Sequence, residues 1–170
     1  MKPSKVKTLT AKKTWLVLPS FKGITWMGVV YCRVQKYIDE INRSNDIDSN
    51  FKSHEMIHVK QAQSMKDSWF RFYCNYVFQY IKNLPLITLD LHAPYRLIPT
   101  EIEAYLNQDN WKYAAGEEPV YQWKLYQGLT LKEKREIAIE YFKKKNKTYT
   151  TVLHEFFENR AKKIGRMHKE

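Results

Sequence analysis

The sequence predicts an α+β fold, mostly α-helical, with a small N-terminal antiparallel β-hairpin ahead of a set of amphipathic helices. Three observations predict it. The 170 residues are 44% hydrophobic and 15% aromatic, enough for one domain with a sizeable core. Residues 14–34 hold two runs rich in β-branched and aromatic side chains, parted by Pro19 and Gly23, the pattern of paired strands. From residue 51 onward apolar positions recur at helical spacing, interrupted by proline and glycine.

In chain order, residues 1–13 are a polar, basic arm without the apolar core or small-residue cleavage site of a signal peptide. Thr14–Leu18 is a short strand ending at Pro19, and Pro19–Gly23 carries turn chemistry. Ile24–Val34 is a second strand, with Gly28 marking a bulge or a close backbone approach. Residues 42–50 form a polar loop whose Asp46, Asp48, Ser49 and Asn50 suit a helix start. A helix then runs from about Phe51 to about Met65. Trp69–Leu84 is a second helix, with Arg71, Asn75, Gln79 and Lys82 as one polar stripe and a wide apolar face for the core. The other reading of that face is a helix lying on a membrane surface.

Leu84-Pro85-Leu86 ends the second helix. Asp90–Pro99 is a proline-punctuated connection, and Thr100 opens a helix to about Ala115, stopped by Gly116 and Pro119. Residues 117–128 are irregular. Thr130-Leu-Lys-Glu133 is a capping box opening a helix to about Lys145. The last helix runs from about Thr151 to Ile164, with Val152, Leu153, Phe156 and Phe157 inward. The domain reading is a basic arm (1–13), a core (14–115) and a helical extension packed on the same domain (116–170). Cys32 and Cys74 form no CxxC pair and sit in apolar surroundings, so both read as buried thiols.

The chemistry concentrates at Ser53-His54-Glu55-Met56-Ile57-His58-Val59-Lys60-Gln61. Residues four apart on a helix share a face. His54 and His58 therefore aim two imidazoles at one point, as a zinc ion requires, and Glu55 stands beside that point as a base for water. A catalytic zinc needs a third protein ligand. Glu101, Glu103, Asp90, His92 and His154 are the candidates. Thr100-x-x-Glu103 reads as a capping box, which gives Glu103 a structural task; subtraction favours Glu101, with Glu103 as the alternative. Gln61, on the same face, either orients a ligand or packs.

These residues resemble a known family. His54-Glu55-x-x-His58 followed by Glu101-x-Glu103-Ala104-Tyr105 is similar to the gluzincin metallopeptidases, and closest to small bacterial zincin-like proteins. The resemblance covers about residues 14–115 and includes Pro94–Ile98. It implies a zincin-like core, a zinc cofactor held by His54, His58 and Glu101, and hydrolysis of peptide bonds. Tyr105 departs from the pattern: many gluzincins carry Asp or Asn there to orient a histidine, and Asp90 is the substitute the sequence offers.

Under that reading Glu55 is the general base, and Tyr95 donates to the oxyanion, with Tyr105, His92 and Arg96 as alternatives. The substrate is a peptide or protein. A zincin-like module that binds metal without turnover is the second reading. The net charge of +11 points to an acidic partner. No helix-turn-helix or finger signature accompanies the charge, so nucleic acid is the weakest alternative. No apolar run is long enough to span a membrane, which leaves peripheral contact and makes the cytoplasm the expected compartment.

Overall fold

The structure is a computed structural model that describes residues 23–26, 29–32, 34, 36, 39, 50–115 and 122–167. Among these the chain is mostly helical with one two-stranded antiparallel sheet, as expected. The basic arm, the strand at 14–18, the turn at 19–22, the feature at Gly28, the loop at 42–49 and residues 117–121 lie outside the described residues. Two compact units are present, one drawn from residues 1–74 and 107–121, the other from 75–106 and 122–170.

In the first unit the hairpin is built differently from the expectation. The stretch read as one strand over 24–34 folds on itself, as β1 (Gly23–Trp26) and β2 (Val29–Cys32), with Trp26 opposite Val29 and Gly23 opposite Cys32. Only Met27 and Gly28 separate the strands in sequence. Gly23 itself is confined. A Cβ there would sit 2.7 Å from Phe51 Cζ and 2.9 Å from the Tyr31 carbonyl oxygen.

Phe51 belongs to the first turn of α1 (Asn50–Ser64), so the hairpin packs on the start of that helix. Ser64 Oγ donates to the Gln61 carbonyl at the helix end. Lys66 and Asp67 follow in left-handed conformation, at φ 60° and 52°. This terminates the helix without glycine, at some cost in backbone strain. Ser68 Oγ accepts from the Arg71 amide and opens α2 (Trp69–Asn83).

The helix expected over 100–115 is two helices, α4 (Pro99–Asn107) and α5 (Trp111–Ala115). Asn110 makes the break: its amide donates to the Asn107 carbonyl, and its side-chain oxygen accepts from the Tyr113 amide. That is helix-start chemistry. α5 packs on α1.

In the second unit a 3-10 turn (Leu84–Thr88) and α3 (Ala93–Arg96) precede α4. α6 (Trp123–Tyr126), α7 (Leu131–Ala138), a π-helical turn (Ile139–Lys144) and α8 (Tyr149–Met167) follow. The capping box forms as expected: Thr130 Oγ1 accepts from the Glu133 amide, and the Glu133 carboxylate accepts from the Thr130 amide. Arg160 pairs with the same carboxylate, and these contacts hold Glu133 below the usual carboxylate range. Lys145, at φ 53°, ends the π turn, and Thr148 Oγ1 accepts from the Thr151 amide at the start of α8.

The core of this unit gathers Leu86, Leu97, Ile102, Ile137, Val152 and Leu153, with Phe156 and Phe157 against it, as read from the spacing. Arg96 is ringed by Tyr105, Tyr141 and Tyr149 at 5.1–5.3 Å from its guanidinium carbon, cation–π geometry. The Tyr149 hydroxyl donates to the Arg96 carbonyl. Burial drives the Tyr149 phenol well above its ordinary pKa.

α2 departs most from the expectation. Its buried face carries Phe72, Gln79 and Asn83, while Phe70, Val77, Phe78 and Ile81 are exposed. The stripe read as polar and outward is therefore partly inward. Cys74, read as buried, is exposed on this outer face, whereas Cys32 is buried as expected. Asn83 is inward because it is used: its amide donates to the Pro94 carbonyl, and its oxygen accepts from Lys134 Nζ at 2.8 Å.

Two predictions follow from this packing. Gly23→Ala forces the Phe51 ring or the β2 backbone to shift and lowers unfolding free energy by about 1–3 kcal/mol in denaturant titration. Lys134 is buried, and desolvation first, then the charge of Lys82, brings its ammonium from 10.5 down to about 8. The fold penalises the charged form, and that penalty is complete below about pH 8. Between pH 8 and 10.5 the unfolded chain binds more protons, so stability rises with pH across that window. Melting temperature against pH shows the rise in the native chain, and Lys134→Met removes it.

Candidate metal centre

The face of α1 that turns inward is half polar: Ser53, His54, Glu55, His58 and Gln61 are all buried. The four-residue spacing brings the His54 and His58 rings edge to face, with centroids 4.8 Å apart and planes at 86°. Their Nε2 atoms are 3.2 Å apart. Two imidazoles bound to one zinc at tetrahedral angle place their nitrogens about 3.3 Å apart. The spacing on the helix already meets that separation.

Gln61 decides which nitrogen of His58 is available. Its side-chain oxygen lies 2.8 Å from His58 Nδ1, so Nδ1 carries the proton and donates, and Nε2 keeps its lone pair for a metal. Phe72 closes over the same ring, edge-on at 5.9 Å.

Glu101 stands in the first turn of α4, which Pro99 opens; proline suits the first helical position, and the helix N-terminus favours a carboxylate. Its side chain is buried, and Oε1 accepts from the Tyr76 hydroxyl at 2.9 Å. His54, His58 and Glu101 together form a buried group whose ligand atoms all lie within 4.8 Å of one another, the one such group found among the described residues. The donor set fits zinc: two imidazole nitrogens and one carboxylate oxygen hold three positions and leave a fourth for water or substrate. These three residues can hold a metal ion.

No family model, curated protein or solved structure matches this chain.

The other candidates fall elsewhere. The Glu103 carboxylate is fully buried and accepts from the Gln122 amide. Burial first, and the Glu103 charge second, push the Tyr126 phenol up to about 12. Because α4 opens at Pro99, Thr100 lies inside its first turn instead of ahead of it. Asp90 does not serve the histidines of α1: its oxygen accepts from the His92 amide and faces His92 Nδ1 at 3.2 Å. The orienting partner expected of Asp90 is Gln61. His154 is exposed on α8. Arg96 and Tyr105, weighed as oxyanion donors, pack against each other in the second unit. Tyr95, half-buried on α3, sets its ring 6.4 Å from that of Tyr76.

Tyr76 is the residue the sequence did not single out. It was one aromatic among many in the second helix, and no spacing rule ties position 76 to position 101. Replacing Gln61 with Ala removes a hydrogen-bond partner from the His58 ring, and Tyr76→Phe removes one from the Glu101 carboxylate. Each change weakens zinc binding, by roughly 10–100-fold for an orienting partner. Titration against a chromogenic chelator measures the loss, and circular dichroism confirms that the helices are intact.

Proposed function

We propose that this chain is a zinc-dependent hydrolase of peptide bonds with a zincin-like core of the gluzincin kind. The observation that carries the reading is the buried His54, His58 and Glu101 group, with both histidine Nε2 atoms at the separation zinc requires. The hairpin packed on the start of α1 is compatible with such a core. When bound, zinc supplies Lewis acidity and lowers the pKa of water toward ~7.

The chain's own residues do the rest. Glu55, buried and next to His54 on α1, accepts the proton of the attacking water and returns it to the leaving nitrogen. Gln61 and Tyr76 hold His58 and Glu101 in place. Tyr95 supplies the hydroxyl that meets the oxyanion. The substrate class is a peptide or a protein.

A metal-binding module without turnover is the second reading, and Tyr105 favours it. Position 105, where gluzincins orient a histidine, is occupied here by a ring packed against Arg96 and Tyr149.

Elemental mass spectrometry of the purified chain tests the site. About one zinc per chain, lost in Glu101→Ala and kept in Glu103→Ala, is expected. Glu55→Gln then separates the two readings. A hydrolase keeps its zinc and loses at least about 100-fold in cleavage of a fluorogenic peptide pool. A binding module keeps its zinc and cleaves nothing in either form.

A further inference from the structure

α2 turns a set of large apolar side chains outward, and the chain beyond it extends the set. Val77, Phe78 and Ile81 lie on one side of the helix, more than half exposed. Leu84 and Ile87 follow from the 3-10 turn, whose Leu86 is anchored in the core. Leu91 is 74% exposed. Scattered exposed leucines need no explanation, but six large apolar side chains exposed between Val77 and Leu91 mark a candidate contact surface.

The charges around it indicate the partner. Between Asp67 and Asp90 the sequence has no acidic residue, and its charged residues are Arg71 and Lys82. Lys82 sits over the Phe78 ring, with Nζ 4.5 Å from the centroid, so its ammonium stands on the apolar patch itself. The whole chain carries +11. An apolar face that carries Lys82 and has Asp90 as its one acid in sequence, at its far end, matches an anionic bilayer, where acyl chains take the apolar side chains and phosphates take the ammonium group. No helix among the described residues is long and apolar enough to cross a membrane.

We propose that the outer face of α2 and the turn after it docks on the surface of an anionic membrane. Val77, Phe78, Ile81, Leu84, Ile87 and Leu91 enter the interface, and Lys82 holds headgroup phosphates. The assignment is independent of the metal centre.

Vesicle flotation of the full chain tests it. Phosphatidylcholine vesicles with and without phosphatidylglycerol are compared for the native chain, Phe78→Glu/Ile81→Glu, and Leu91→Glu. The last replaces the most exposed side chain of the patch and protects the test against misfolding of the double variant. The native chain is expected to float with anionic vesicles and not with neutral ones, and each variant to lose roughly tenfold or more in partitioning. Three results overturn the proposal. The native chain fails to float with anionic vesicles; or the variants float as well as it does, which assigns binding to charge elsewhere; or sedimentation equilibrium shows a dimer that Leu91→Glu dissociates, which makes a second copy the occupant.

Discussion

A polar side chain carried into a protein interior must find its partner there, because an unpaired donor or acceptor costs on the order of 1–3 kcal/mol. This chain accepts that constraint repeatedly. Gln61 meets His58, Tyr76 meets Glu101, Asn83 meets Lys134, and a backbone amide meets Glu103. An ordinary surface helix fills its inward face with leucine and valine. α1 places two histidines, a serine, a glutamate and a glutamine there. Such a breach of local pattern is what a functional site looks like in an otherwise consistent sequence, and it concentrates at the residues whose spacing suits a metal.

Where the sequence was legible, the signal was local and obeyed one rule. α1 was visible from the four-residue spacing of its two histidines and from the helix-start residues Asp46, Asp48, Ser49 and Asn50 ahead of them. The Thr130–Glu133 cap was visible because both members of the pair are near neighbours in the chain. The inward side of α8 followed from the spacing of Val152, Leu153, Phe156 and Phe157. The pairing of Tyr76 with Glu101, in contrast, joins residues far apart in the chain, which no periodicity reports.

The misread elements share a cause. In α2 aromatic side chains occur on every side of the helix, so composition could not say which side is inward. The decision belongs to Asn83, which is inward because Lys134 and Pro94 need it there. The placement of Cys74 followed the same error. The break in the helix over 100–115 came from one asparagine whose side chain competes for the backbone. Tyr105, where the sequence departs from the family it resembles, is one wall of the aromatic ring around Arg96.

The π-helical turn at Ile139–Lys144 bears on how this chain can vary through evolution. Such a turn amounts to one residue inserted into an α-helix. Removing a residue there would restore regular winding and rotate everything beyond it by about 100°. Tyr141 lies within the turn, and Tyr149 just beyond it; both face Arg96. Lys143 is exposed and free to change identity, while Lys144 pairs with Glu140. A deletion in the segment therefore costs more than a substitution at Lys143: it changes where Tyr141 and Tyr149 meet Arg96.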